Sequence, residues 1–211
     1  MARPSNTAER KVQITQALMQ VMAKRGYDRA SIQDVARAAG LTPGLVHYHF
    51  KNKQEILLSL LQELVSQHQA QLAALLTQAQ GDPISELEAF LDLHLGLGAH
   101  ANSEALACWL LISAEALREP DIRLVFAESM AALRAQLSTI IARGIDASCF
   151  ACSPQDTHAI STAIIALIQG YLSLAGSARS LIPKGSAAHS ARLMSAALLA
   201  PTRPLDVFKA T

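Results

Sequence analysis

Cys149-Phe-Ala-Cys152, His47-Tyr48-His49 and a run of basic residues ahead of position 54 are the parts of this 211-residue chain whose types and spacing suit chemistry. The cysteine pair has the spacing of a thiol–disulfide couple or of half a zinc site. No second cysteine pair lies near it, and His158 alone does not complete a tetrahedron, so no metal site is predicted. Cys149 and Cys152, like Cys108, are expected as ordinary reduced thiols, with an exposed oxidation sensor as the alternative. His47 and His49 have no acid or thiol close by, which argues against a metal there as well. The sequence holds no nucleophile–base–orienter set, phosphate loop or metal-ligand spacing, so neither an enzyme nor a bound cofactor is expected.

The charge is more telling. Residues 1–53 hold nine Lys/Arg (Arg3, Arg10, Lys11, Lys24, Arg25, Arg29, Arg37, Lys51, Lys53) against three acids (Glu9, Asp28, Asp34), whereas residues 54–211 carry nine basic and fourteen acidic residues. Opposite signs at the two ends suggest that the first meets a polyanion and the second does not. The most apolar run, Ala159 to Ala175, is interrupted by Ser161, Thr162, Gln169 and Ser173 and has no basic flank, so it reads as a buried helix rather than a membrane span. Met1 to Lys11 lacks the apolar core of a signal peptide, and a cytoplasmic location is expected.

Ala and Leu dominate the composition and aromatics are scarce, which favours helices. An all-α fold of about nine helices is predicted. Glu9 to Arg25 carries an apolar stripe at three- and four-residue spacing and closes at Gly26. Ser31 opens a short helix with an acid three residues on, and Gly40 ends it. Thr42-Pro43 supplies an N-cap and a first-turn proline for a helix to about Tyr48. Asn52 caps a long helix to about Gln80. Further helices are expected from Pro83 to about Leu97, Ser103 to Glu119, Asp121 to Arg143 with a stop at Gly144, Pro154 to about Gly176, and Ser186 to Ala200. The domains expected are a helix-turn-helix unit over 1–53, a helical bundle over 54–200, and a loose tail over 201–211.

Ser31–Phe50 has the layout of a helix-turn-helix, and Gly40 suits the positive φ its turn demands. The second short helix cannot stand alone. Leu41, Leu45, Val46 and Phe50 are available to pin it, which leaves Thr42, His47, Tyr48 and His49 for the outside, where they could enter a major groove. His47 and His49 could instead be structural histidines that cap or pack.

The order and spacing of Gly26-Tyr27-Asp28-Arg29-Ala30-Ser31-Ile32-Gln33-Asp34-Val35-Ala36, followed by Ala39-Gly40-Leu41-Thr42-Pro43-Gly44-Leu45-Val46-His47-Tyr48-His49-Phe50-Lys51-Asn52-Lys53, resemble the signature of the TetR family of repressors. The resemblance implies that Ser31 and Gln33 meet backbone or groove edge and that Thr42, Pro43, Gly44 and His47 face the groove. Tyr48 and His49 would touch phosphates or bases, and Lys53 would anchor a phosphate. Leu45 stands where a Thr or Ser is frequent, and His47 where a Tyr is frequent. Trp109 to Ala116, followed by Pro120-Asp121-Ile122-Arg123, is similar to the sensing domain of the choline-responsive branch of that family.

A small-molecule site is expected among the helices after position 82, with Phe90, His94, Trp109, Phe126, Met130, Gln169 and Tyr171 as candidate linings. His94 and Gln169 stand out because polar groups on an apolar helix face need partners, for which Ser113, Glu115 or a water are candidates. Two ridges are candidates for a homodimer surface: Ile160, Ile164, Leu167, Ile168 and Leu172 on one helix, and Leu193, Met194, Ala197 and Leu198 on the next. The function expected is a dimeric transcriptional regulator that leaves double-stranded operator DNA when a small-molecule effector binds. A helical protein-interaction scaffold without DNA binding is the alternative.

Overall fold

The computed structural model describes residues 6–96 and 103–208. Over them the chain forms nine α-helices: α1 (Asn6–Arg25), α2 (Ile32–Ala39), α3 (Pro43–His49), α4 (Lys53–Gln78), α5 (Pro83–Leu95), α6 (Ser103–Glu115), α7 (Pro120–Asp146), α8 (Thr157–Ser177) and α9 (Ser186–Leu199). The described residues contain no strand, only one isolated antiparallel bridge between Phe150 and Pro201. The all-α expectation holds. The predicted end of α5 at Leu97 lies outside the described residues.

The chain packs as two compact units, with α6 grouped in the first. One unit comprises residues up to 66 together with 102–127, and the other comprises 67–101 and 128 onward. The reason for that grouping lies in α6. Its Cys108 and Ile112, with Ala116 just past its end, are buried in the same core as Ile14, Leu18 and Met22 of α1, Val35 and Ala36 of α2, Val46 of α3, and Ile56, Leu57, Leu60 and Leu61 of α4. Each large aliphatic side chain buried there is worth about 1.5–3 kcal/mol. The second unit has its own core from Leu87, Phe90 and Leu91 of α5, Leu137, Ile140 and Ile141 of α7, Ile160, Ile164 and Ile168 of α8, and Ala187, Ala191 and Leu199 of α9.

Three boundaries depart from expectation for identifiable reasons. α6 stops at Glu115 rather than Glu119, because Pro120 disfavours helical geometry just before it. The freed carbonyls of Ala116 and Leu117 accept from Arg123 Nε and Nη2, each at 2.8 Å. Gly144 does not end α7, which runs on to Asp146. A Cβ at Gly144 would run into the ring of buried Phe150, so the glycine makes room instead of breaking the helix. The tail, expected to be loose, is tied down over residues 201–208. Arg203 reaches Asp82 at 2.5 Å, Ser85 at 3.0 Å and Glu88 at 3.1 Å, while the amides of Asp206 and Phe208 donate to Glu88 and Asp92 at 2.8 and 2.7 Å.

By length and composition α7 and the stretch Pro154–Ser177 could each cross a bilayer. Their inner faces instead fill a protein core, and the outer face of α8 carries Thr162 and Ser173. Both helices fit a soluble fold.

Candidate nucleic-acid interface

The segment from Ser31 to Phe50 is held by local chemistry at each joint. Ser31 caps α2 by accepting the Asp34 amide at 3.1 Å, and Asp34 returns a carboxylate to the Ser31 amide at 3.3 Å. The Ser31 hydroxyl and amide bonds, then Arg25 and Arg37 nearby, hold the Asp34 carboxyl below the usual carboxylate range. Gly40 adopts φ +65°, a left-handed conformation that suits glycine. The chain then turns, with the Leu41 amide returning to the Ala36 carbonyl at 2.9 Å. Thr42 caps α3, its hydroxyl accepting the Leu45 amide at 3.3 Å, and Pro43 takes the first turn.

A seven-residue helix has little stability of its own. α3 is anchored by Val46, fully buried, by Phe50 just past its end, and by half-buried Leu41. Leu45, expected to share that packing, is 36% exposed and belongs to the outer face. The reason is helical phase: Val46 and Phe50 lie four apart on the inner side, and Leu45 falls off it. Thr42, Pro43, Gly44, His47 and Tyr48 are exposed, Tyr48 at 79%. Half-buried His49 meets the Tyr48 ring edge-on, with centroids 5.1 Å apart. Elsewhere in this unit Lys24, Arg25, Arg29, Arg37 and Lys51 are exposed cations, and Gln33 is exposed too.

Lys53 has a role the sequence did not reveal. Its ammonium donates to the carbonyls of Tyr27 at 2.8 Å and Asp28 at 3.4 Å, and sits 4.2 Å from the Tyr27 ring centre. It locks the connection between α1 and α2 to the start of α4 and keeps one of its three N–H donors for anything else. Burial, then Glu115, Glu119 and Asp28, pushes the Tyr27 phenol up to about 12. Gln13 is a second missed clamp: its amide donates to the Ala39 carbonyl at 2.6 Å, and Arg10 holds it from behind at 2.6 Å. A polar residue within an amphipathic helix gave no warning of either bond.

The residues expected to line a ligand site fall in different units. Trp109 and Phe126 belong to the first, their rings 4.9 Å apart at 35°. Phe90, His94, Met130, Gln169 and Tyr171 belong to the second. Phe90 is fully buried core. His94 stacks on it at 4.4 Å, donates from Nδ1 to the Phe90 carbonyl at 2.6 Å, and faces His68 Nε2 at 2.8 Å. Because a carbonyl only accepts, the proton sits on His94 Nδ1, and His68 must donate to His94 Nε2. Burial, reinforced by His68, pushes His94 down to about 3, and burial lowers His68 also. The partner expected for His94 was Ser113, Glu115 or a water; it is His68. Gln169 donates to Met130 Sδ at 3.6 Å, and Tyr171 is half-buried.

A cleft of about 530 Å³ opens elsewhere in the second unit, lined by Gln78, Gln80, Asp82, Ser85 and Glu88 and by the tail residues Asp206, Val207 and Phe208. Burial raises the Asp82 carboxyl, but bonds from Ser85 and Arg203 outweigh it and leave it below its ordinary value. Burial of Asp92 prevails over the Phe208 amide and Arg192 and raises its carboxyl. Nothing in the sequence pointed to this cleft, because part of its wall, Asp206 to Phe208, comes from the tail.

Of the two ridges expected to bind a second copy, the first is corrected. Ile160, Ile164 and Ile168 face the core of their own unit, while Leu167 and Leu172 are half-buried. Ile and Leu occur on several sides of α8, so periodicity could not choose its inner side; its outer side carries small residues, Ala163, Ala166 and Gly170, besides Thr162 and Ser173. The second ridge is exposed, with Leu193 at 59%, Met194 at 50%, Leu198 at 42% and Ala197 beside them. Cys149 and Cys152 are free thiols flanking the extended bridge residue Phe150.

Residues 14–60 match the family described as bacterial regulatory proteins, tetR family, and residues 83–200 match the BetI-type transcriptional repressor C-terminal region. The HTH-type transcriptional regulator BetI of Agrobacterium fabrum is 28% identical over 162 residues, 76% of this chain and 74% of that protein. A TetR transcription regulator from Haloarcula marismortui superposes with TM-score 0.80 at 22% identity, covering 91% of this chain and 99% of the other. A transcriptional regulator from Saccharomonospora viridis, solved in complex with choline, gives TM-score 0.75 at 24% identity over 89% of this chain and 94% of its own. The two structural likenesses bear on the fold.

Proposed function

Because this chain belongs to the TetR family of bacterial regulatory proteins and carries a BetI-type C-terminal region, it is a DNA-binding transcriptional regulator and not an enzyme, and we propose that it acts as a cytoplasmic homodimeric repressor released from its operator by a small molecule. The observation that carries this reading is the outer face of α3. Thr42, Pro43, Gly44, His47 and Tyr48 stand in solvent on a helix whose other side is fixed by Val46 and Phe50. Such a rod can lie in a major groove while Lys and Arg side chains of the same unit contact phosphates. Ser31 and Gln33 at the start of α2 would meet the backbone, and the remaining N–H of Lys53 could reach one phosphate.

One short rod binds weakly, and two at a fixed separation bind with high effective concentration. The second copy would be met by the exposed α9 ridge of Leu193, Met194, Ala197 and Leu198 and by the small-residue face of α8, across which helices can approach closely. Leu193→Glu with Leu198→Glu should convert a dimer to a monomer in light scattering. The effector would enter the second unit near Met130, Gln169 and Tyr171, and the Trp109–Phe126 pair would respond to it. The choline held by the Saccharomonospora protein makes quaternary ammonium compounds the first to screen by thermal shift. Because α4 contributes residues 53–66 to the first unit and 67–78 to the second, it is the element an effector would act through. Effector and operator then weaken each other by the same factor.

The deciding experiment is equilibrium binding of the full-length protein to duplexes selected from a random pool, at rising salt. About a thousandfold loss between 50 and 200 mM salt is expected, and a flat response would defeat the reading.

A further inference from the structure

We propose that Leu45 reads the C5 methyl group of a thymine in the major groove, with Gly44 as the residue that lets the duplex come close enough. The inference rests on α3 being the groove-entering helix. Two observations carry it.

The first is Leu45 itself, the branched aliphatic side chain on a face otherwise made of Thr42, Gly44, His47 and Tyr48. Val46, Phe50 and Leu41 already anchor the helix, so the 36% of Leu45 left in water is not needed for that packing. Leu45 and Tyr48 are three apart and share a face. An apolar side chain cannot bond a phosphate or a base edge, but it can cover a methyl group. In the major groove only thymine presents one.

The second observation is Gly44. It is the second residue of α3, in the first turn, where an alanine would give up less conformational freedom on folding. Its φ is not in the left-handed region, and a Cβ built there meets nothing within 4 Å. No contact or turn within the chain requires a glycine at this position. A surface that keeps a bare backbone beside an exposed leucine fits a partner that approaches that backbone closely, which brings the short reach of Leu45 within contact of a base.

The test uses the full-length protein and the duplex it selects from a random pool. Each thymine is replaced in turn by deoxyuridine, which removes the methyl and leaves pairing and the O4 acceptor intact. One thymine per half-site should show about a fourfold loss of affinity, and about fifteenfold when both half-sites are changed, the effect of one buried methyl each. In Leu45→Ala and in Leu45→Gln that sensitivity should vanish at the same position. Gly44→Ala should melt at a higher temperature and yet bind the duplex more weakly. If no thymine is sensitive, or if the sensitive thymine remains so in both Leu45 variants, the inference is wrong while the regulator reading stands. If no duplex is selected at all, the regulator reading itself fails and takes this inference with it.

Discussion

The side chains proposed to face DNA stand mostly in water, whereas the second unit buries several polar groups, among them Glu86, Glu88, His94, Ser161 and Ser195. In the first unit Thr42, His47 and Tyr48 project from a helix positioned by neighbours a few residues away: a Ser31–Asp34 capping box, a left-handed Gly40, a Thr42 cap. In the second, His94 is buried against His68, twenty-six residues distant, and Glu88 is buried under Arg203, more than a hundred residues on. Short-range rules cap α2 and α3, whereas chain closure makes the Gln13 and Lys53 clamps of the first unit and the buried polar pairs of the second. Substitutions on the outer face of α3 should alter binding with little change in stability, and substitutions among the buried groups of the second unit should do the reverse.

The largest effect expected is at Phe90, fully buried in the second core, where Phe90→Ala should cost about 3–5 kcal/mol in a urea melt. A loss under 1 kcal/mol would mean that the ring lines a cavity after all. Next is acid. His94 is held well below its unfolded value near 6.5 and His68 is lowered too, so the unfolded chain binds more protons between those values. Stability contributed by the neutral pair is therefore complete above about pH 6.5 and is lost as pH falls, by about 2 kcal/mol at pH 5 for His94 alone. Urea melts at pH 7.5 and pH 5 check this, and the difference should shrink in His94→Phe. Smaller still is Thr42→Ala, expected to cost about 1 kcal/mol through the lost cap and to weaken DNA binding by disordering the start of α3. Least in stability is Tyr48→Ala, within about 0.5 kcal/mol of the parent by thermal melt, yet at least tenfold weaker on the selected duplex. A Tyr48 variant that unfolds would erase the contrast between the two units.

What was legible in the sequence follows the same division. Caps, Gly40 and the three- and four-residue stripes act over one or two turns, so α2, α3 and the start of α4 could be placed almost to the residue. Leu45 was misassigned because a seven-residue helix offers too few turns to fix its phase. The inner face of α8 was misassigned because Ile and Leu occur on several of its sides, and only the third dimension separates Ile160, Ile164 and Ile168 from Leu167 and Leu172. The clamp made by Lys53 was not legible because its carbonyl partners, Tyr27 and Asp28, lie twenty-five and more residues back. The cleft beside α5 was invisible for a like reason, since its tail wall looked like unstructured polar chain.

The grip of Arg203 on α5 bears on how this protein would age. Asp82, Glu88 and Asp92 lie along one helix, and Arg203, Arg192 and two tail amides answer their negative charge. Loss of Arg203 would strip the counter-ion from Asp82 and Glu88 at once. Damage to this segment should scale with the negative charge left uncovered on α5, and should be greatest at that arginine.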